Sequence, residues 1–415
     1  MSQHMPKKVL MYSADTFGLG HLRRQLKIAS VLQTELQDLS ILILTGSSMV
    51  HSFRLPPRVD YVKLPGLFWE GKGVFTSKYL PLPFEEVKRL RERIILEAAL
   101  AYQPHLFLVD YYPTGVGGEL LSTLRALSEN GREAALVLGL RDIVDDPKGV
   151  RARWAADRVI PLLEELYDEI WLYGCQALCD PIKEYELPDA VARKVRFCGY
   201  LDVEPPAASS EQTHRELGIM GETFVLVTVG NGRDGFTMLD GYLQALELLP
   251  KDTKLFSLLV GGPDLPRGDQ EGIRQRCSQM ALAQPERPVR FIEFSPRLLE
   301  YMAAADVVVS MGGYNTLVEI LALEKRALVI PRVHLHLEQL IRASLFERLG
   351  LIRMLHPEQL SPELMAEALL AALHTPPPSR QRLRAVGFDL NGLHQVKEHV
   401  VRLLGARGRL PHPSR

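Results

Sequence analysis

Cysteine is scarce, with four residues in 415. That is too few for a disulfide scaffold, and the Cys175/Cys179 pair has no second motif with which to build a metal site. All four read as reduced thiols of a cytoplasmic protein. An excess of charge is missing too: 49 Lys and Arg stand against 50 Asp and Glu. That balance excludes a protein that grips nucleic acid by bulk basicity, though not a local site for one phosphate group. No apolar run reaches the ~18–20 residues of a membrane helix. No signal-peptide core follows Pro6-Lys7-Lys8, so at most peripheral membrane contact is expected. Fixed-period repeats and low-complexity blocks are absent as well. With 46% hydrophobic and 24% charged residues, the chain is neither disordered nor collagen-like nor a coiled coil.

What is present is a recurring unit, a short apolar run followed by a helical pattern. Val9–Ser13, Leu39–Leu44, Leu106–Val109, Ala135–Leu138 and Glu169–Tyr173 have strand length and no polar alternation. Such runs suit strands buried on both faces of a parallel sheet. A stretch rich in Pro, Ser and Glu, 201–221, reads as a linker. The pattern then restarts with Phe224–Val229, Leu255–Val260, Val289–Ile292, Val307–Ser310 and Ala327–Ile330. Strands alternating with helices imply doubly wound α/β layers. The predicted organisation is a Rossmann-like domain over 6–200, the linker, a second such domain over 222–385, a terminal helix within 386–406 that returns to the first domain, and a mobile basic tail, 407–415. Two such domains are expected to face each other across a cleft, with ligands at the carboxyl ends of the strands.

The loops at those ends carry the candidate chemistry. After the first strand comes Gly18-Leu19-Gly20-His21, then a helix opening at Leu22-Arg23-Arg24. The glycines make a tight turn, and His21 is either a base at the cleft floor or a loop histidine that caps. Asp110 and Asp142 stand at two further strand ends, where Arg141 and Asp142 are able simply to brace a turn. In the second half Gly230, Gly232 and Gly235 satisfy the bare G-x-G-x-x-G spacing, with no acid in the ribose-binding place. The most informative stretch is Ser310-Met311-Gly312-Gly313-Tyr314-Asn315-Thr316-Leu317-Val318-Glu319. It is a strand end, a Gly-Gly turn and a helix start. N–H groups at Gly313 to Thr316 form an anion site with the helix dipole, and Glu319 is placed to accept from a ribose diol. A plain helix cap joining Asn315 or Thr316 to Glu319 fits the same letters. Leu64-Pro65-Gly66-Leu67-Phe68-Trp69 is an apolar stretch that either meets an acceptor or packs a loop.

From Glu293-Phe294 through Ala305-Asp306 to Gly313, Thr316 and Glu319, the chain resembles the donor-site region of glycosyltransferase family 28. Over its whole length it is similar to uncharacterised bacterial glycosyltransferases, on Gly18–Arg24, Val137–Asp142, Met311–Glu319 and Glu338–Ala343. The resemblance implies an α/β GT-B fold with two Rossmann-like domains. It implies that Phe294 and Ser295 border the base, that Gly313 and Thr316 cradle the diphosphate, and that Glu319 holds the ribose; Gly312 and Asn315 of the same turn are counted with the donor site. Where the family reads the donor sugar with a Gln pair and an Asn, this chain has Glu338, Gln339 and Arg342, so N-acetylglucosamine is not implied.

The expected function is a metal-independent, inverting transfer from a UDP-sugar to a hydroxyl acceptor, small or lipid-linked, with no cofactor. His21 or a nearby acid removes the proton. The helix start, with Arg233 or Arg332, stabilises the departing diphosphate, and Gly230 lets a phosphate or the acceptor approach the backbone closely. Two alternatives stay open: an epimerase using Asp110 with Asp142 as an acid pair, and a nucleotide-sugar-binding module that does not depend on His21. A dehydrogenase ranks last.

Overall fold

The computed structural model describes residues 6–406 apart from Phe17, Gln37, Lys72, 130–133 and Leu335. The tail expected over 407–415 lies outside the described residues. The chain divides into two compact units. One is built from the residues up to Leu201 together with those from Phe388 on, and the other from Asp202–Gly387.

The first unit contains β1 (Lys7–Ser13), β2 (Leu39–Thr45), β3 (Val59–Lys63), β4 (Leu67–Gly71), β5 (Val74–Ser77), β6 (Leu106–Asp110), β7 (Ala135–Arg141), β8 (Glu169–Tyr173) and β9 (Val195–Phe197). Seven of them form a parallel sheet in the order β3-β2-β1-β6-β7-β8-β9, and β4 and β5 form a separate hairpin. Every residue of β6 and β8 is buried, as strands covered on both faces require. The order reverses between β1 and β6, so the loops after these two strands open beside each other.

The second unit contains β10 (Thr223–Thr228), β11 (Leu255–Val260), β12 (Val289–Ile292), β13 (Val307–Ser310), β14 (Arg326–Val329) and β15 (Arg353–Met354). Its parallel sheet runs β12-β11-β10-β13-β14-β15 and reverses between β10 and β13. The two glycine-rich loops read from the sequence are the ones that follow these two strands.

The stretch 201–221 is not an open linker throughout. It holds the helix Ser210–Leu217, whose start is capped by the Ser209 hydroxyl accepting from Gln212 N at 3.2 Å. The chain leaves the first unit at Leu201 and returns at Phe388, and the two passages are fastened together within that unit. Tyr200 N donates to Asp389 O at 2.8 Å, Leu201 bridges Asn391, and the Tyr200 and Phe388 rings stack 4.0 Å apart. The helix Gly392–Ala406 then lies on the first unit. Lys397 pairs with Glu35, and Arg402 pairs with Glu169 at 2.6 Å.

Candidate functional site

In the first unit the site begins with Asp15. Its Oδ1 accepts from Leu22 N at 3.2 Å and its Oδ2 from the Thr45 hydroxyl. A carboxylate thus stands in for the missing side-chain cap of the helix Gly20–Glu35. That anchor fixes His21 and Arg24, three residues apart and so on one helical face. Both turn to the end of β6.

There His21 Nδ1 lies 2.6 Å from Asp110 Oδ2. Arg24 donates from Nε to Oδ1 at 2.9 Å, and from Nη2 to Oδ1 and Oδ2 at 2.8 Å each. Asp110 is fully buried, Arg24 is 2% exposed and His21 15%. Burial alone would raise the Asp110 carboxyl, but the Arg24 and His21 charges outweigh it and hold it below the ordinary carboxylate value. An ionised Asp110 is only an acceptor, so the hydrogen bond to it requires a proton on Nδ1, and the tautomer that meets this in a neutral ring has its lone pair on Nε2. A ring held in this way is able to accept a proton at Nε2.

The neighbouring residue is strained. Tyr111 has φ +69°, rare for an aromatic residue. Its ring lies 5.4 Å from that of His21 and carries the Arg141 guanidinium 4.7 Å above it. Asp142 stands one strand further, at the end of β7. Its Oδ1 accepts from Ile143 N at 2.7 Å and its Oδ2 from the Tyr200 hydroxyl at 3.1 Å. It therefore fastens the place where the chain leaves the unit. Asp110 and Asp142 thus stand at the ends of neighbouring strands in different hydrogen-bonded settings.

Beneath the same loops lies a second buried ion pair, which the sequence reading did not single out. Arg91 Nη2 and Glu119 Oε1 are 2.5 Å apart, and the Tyr12 hydroxyl donates to Glu119 at 2.6 Å. Arg91 also donates to Pro65 O at 2.6 Å, which ties down the chain just before β4. The apolar stretch 64–69 runs into that strand, with Leu67 and Trp69 buried.

In the second unit Gly312 has φ +81°, and the helix is Tyr314–Ala322 with Gly313 as its N-cap and no side-chain cap. The N-cap position is thus held by Gly313, with Asn315 and Thr316 inside the first turn. The first in-helix bond is Leu317 N to Gly313 O at 3.0 Å, so the N–H groups before it have no partner within the helix. Glu319 is buried one turn on. Gln339 flanks this turn, accepting through Oε1 from Arg332 N at 3.1 Å. A Cβ built on Gly313 would lie 4.0 Å from Gln339 Nε2.

Glu338 is ion-paired with the fully buried Arg342, whose guanidinium lies 5.5 Å from the Tyr314 ring. Gly313, Tyr314, Glu338, Gln339 and Arg342 thus converge. Arg332 is clamped to Asp234, in the loop after β10. Arg233 beside it is exposed, and Gly230 has φ +69°. Phe294 and Ser295 follow β12 at the sheet edge, with β11 and β10 between that strand and β13. Ser295 accepts from Arg297 N at 3.1 Å.

Three buried polar atoms mark the reversal between β10 and β13: Thr228 Oγ1, Asn231 Nδ2 and Ser310 Oγ have no protein hydrogen-bond partner. Thr228 and Ser310 are register partners. Buried polar groups without partners are uncommon in folded proteins and suit a place where a ligand supplies them. From the sequence alone no individual role was assigned to these three residues or to Arg24. The spacing of His21 and Arg24 on one helix turn was the available signal for the latter.

Residues 266–399 match the model of the glycosyltransferase family 28 C-terminal domain. The chain is 28% identical over 180 residues, 43% of its length and 46% of the relative's, to an uncharacterized glycosyltransferase, MK0977, of Methanopyrus kandleri. It is 36% identical over 83 residues, 20% of its length and 24% of the relative's, to the UDP-N-acetylglucosamine–N-acetylmuramyl-(pentapeptide) pyrophosphoryl-undecaprenol N-acetylglucosamine transferase of Clostridium kluyveri. The chain thus spans less than half the length of these curated relatives.

Among solved structures, a UDP-glucosyltransferase from Polygonum tinctorium superposes over 96% of this chain and 99% of its own at TM-score 0.63 and 14% identity. MurG of Acinetobacter baumannii does so over 97% and 100% at TM-score 0.55 and 14% identity. These likenesses, with the two parallel sheets, show the fold: α/β, of the GT-B type with two Rossmann-like units.

Proposed function

We propose that the protein is a glycosyltransferase that moves a sugar from a UDP-sugar to an acceptor hydroxyl, with inversion and without a metal ion. The observation that carries this reading is the turn Gly312–Gly313 leading into an uncapped helix start with the buried Glu319 behind it, inside the stretch that matches the family 28 domain. A helix N-terminus offers N–H groups and a positive dipole end to a diphosphate, and a carboxylate one turn on offers acceptors to a ribose diol. In the proposed reaction Nε2 of His21 takes the acceptor proton, and Asp110 holds the ring and balances the imidazolium. The hydroxyl attacks the anomeric carbon, and the N–H groups of 313–316 stabilise the departing diphosphate. Gly230, with Arg332 held by Asp234, borders that site.

The donor sugar meets Gln339 together with the Glu338–Arg342 pair. Truncating either member of a buried ion pair leaves the other uncompensated, so donor preference should change with both. The relatives' names point to UDP-sugars and lipid-linked diphosphates, and both belong in the substrate panel. A cytoplasmic location goes with a UDP-sugar donor.

UDP should stabilise the protein by RT ln(1 + [L]/Kd), about 2.7 kcal/mol at a hundredfold excess over Kd. Glu319→Ala should remove most of that gain in a thermal or chemical unfolding assay. An undiminished response to UDP would show the donor site to be elsewhere. His21→Ala should keep the UDP response and lower turnover ~10²–10⁴-fold, the usual value of a positioned base. Turnover should survive EDTA. Interconversion of two UDP-sugars without any acceptor would replace the transferase reading with an epimerase.

A further inference from the structure

His21 and Asp110 alone would make an imidazole–carboxylate pair, which favours the protonated ring because a buried negative charge lies against it. The structure adds a third group. Arg24 is as buried as Asp110, spans both carboxylate oxygens at 2.8–2.9 Å, and brings Nη2 to 3.1 Å from His21 Nδ1. The other charged and titratable groups around the ring are Asp15 in the loop after β1, which interacts electrostatically with His21, Tyr111 at 5.4 Å, and Arg141 above Tyr111. Tyr173 of β8 supports Arg24 from 5.9 Å.

We propose that Arg24 is the positioning and charge-balancing residue of this site. It occupies the remaining acceptor positions of Asp110, so that the carboxylate takes a hydrogen bond from Nδ1–H and does not share the proton. Its positive charge offsets the carboxylate's pull on the imidazolium, so that Nε2 stays unprotonated and ready to act as a base to lower pH than a bare pair allows. The catalytic meaning of this role rests on the transferase reading above. The electrostatic role does not, and the test separates the two.

The titration midpoint of His21 is followed by NMR through its ring Cε1–H signal, assigned by its loss in His21→Gln. The proteins compared are wild type, Arg24→Gln, Arg24→Lys, Asp110→Asn and the double variant Arg24→Gln/Asp110→Asn. Arg24→Gln should raise the midpoint by about one pH unit or more, the scale of one charge at this range. The acid limb of the pH–rate profile should move with it, a tenfold loss of turnover at a fixed pH on that limb for each unit. Arg24→Lys, which keeps the charge, should restore most of the wild-type midpoint.

If Arg24→Gln does not fold, Asp110→Asn and the neutral double variant decide. Removing Arg24 from the Asp110→Asn background should raise the midpoint by a comparable amount. A folded Arg24→Gln with an unmoved midpoint, or equal midpoints for Asp110→Asn and the double variant, overturns the proposal. A moved midpoint in a protein that turns over no UDP-sugar leaves Arg24 its role and sinks the transferase reading. Turnover with an unmoved midpoint does the reverse.

Discussion

At the scale of single residues, the His21–Asp110–Arg24 cluster concentrates charge where little solvent screens it, so it must affect folding as well as chemistry. Asp110 is held below the ordinary carboxylate value against the pull of burial. A group whose folded pKa is depressed contributes stability above its unfolded value of ~3.9, and that contribution disappears as pH falls through the folded value. Asp110→Asn leaves Arg24 buried without its counter-charge, a loss of about 3–5 kcal/mol at neutral pH. Urea unfolding should show that loss at pH 7, and the gap to wild type should narrow below about pH 4 as the wild-type carboxylate protonates. A gap independent of pH would mean that the charge of Asp110 does not matter to folding. Asp15 works in the opposite sense: burial raises it, so its contribution is fullest below its unfolded value and declines as pH rises through the folded one. The places of Asp110 at a strand end and of His21 at a helix start were legible in the sequence, because a buried apolar run ending in an acid and a glycine turn opening a helix are local patterns. Their partnership was not, since 89 positions separate them and only the parallel pairing of β1 with β6 brings them together.

At the scale of elements, the same contrast between local and distant causes explains what could be read. The ten apolar runs picked out as strands all fall on strands of the two sheets, because being covered on both faces leaves an unbroken hydrophobic signature. Three edge or near-edge strands, β3, β9 and β15, escaped. They are short or half exposed and carry Lys63, Arg196 and Arg353, as edges that must resist further pairing do. The helix Ser210–Leu217 was hidden by the prolines before it, although Ser209 is a proper cap. The loop after β10 is where backbone geometry can be tested without touching charge. Gly232 has φ +91°, and a Cβ there would lie 1.9 Å from the Gly261 carbonyl oxygen. Backbone cannot step aside as a flexible side chain does. Gly230 shares the left-handed conformation, but a Cβ on it meets nothing within 4 Å. Gly230→Ala should therefore cost only the conformational ~1–2 kcal/mol. Gly232→Ala should cost more, distort the loop and weaken stabilisation by UDP. Equal losses in chemical unfolding would show that the loop yields and that its tight approach to Gly261 is not required.

At the scale of the whole molecule, each unit repeats one plan: a parallel sheet whose strand order reverses beside its first strand, with the candidate groups at or after the ends of the two strands that flank the reversal. In the first unit these are His21 and Asp110, and in the second the Gly230–Gly235 loop and the Gly312–Gly313 turn. The alternation of strand and helix and the placing of candidate groups after strand ends were legible from residue order alone, whereas the strand order and its reversal come from the pairing of the strands. The ends of the plan depend on contacts between residues far apart in the chain. The helix Gly392–Ala406 sits on the first unit and buries Val396, Val400, Leu403 and Leu404. Each buried aliphatic side chain is worth about 1.5–3 kcal/mol, and the Tyr200–Phe388 stack and the Arg402–Glu169 pair are lost with the helix. Ending the chain at Gly387 therefore removes part of the first unit's fold and none of the second's. Calorimetry on the truncated protein should show a transition lowered by many degrees or lost, while a transition of the second unit persists and still rises with UDP. Limited proteolysis should then cut first within 6–201. If truncation lowered the UDP-responsive transition as much as the other, the terminal helix would be supporting the second unit, and the division of the chain at Leu201 and Phe388 would not be the division of its stability.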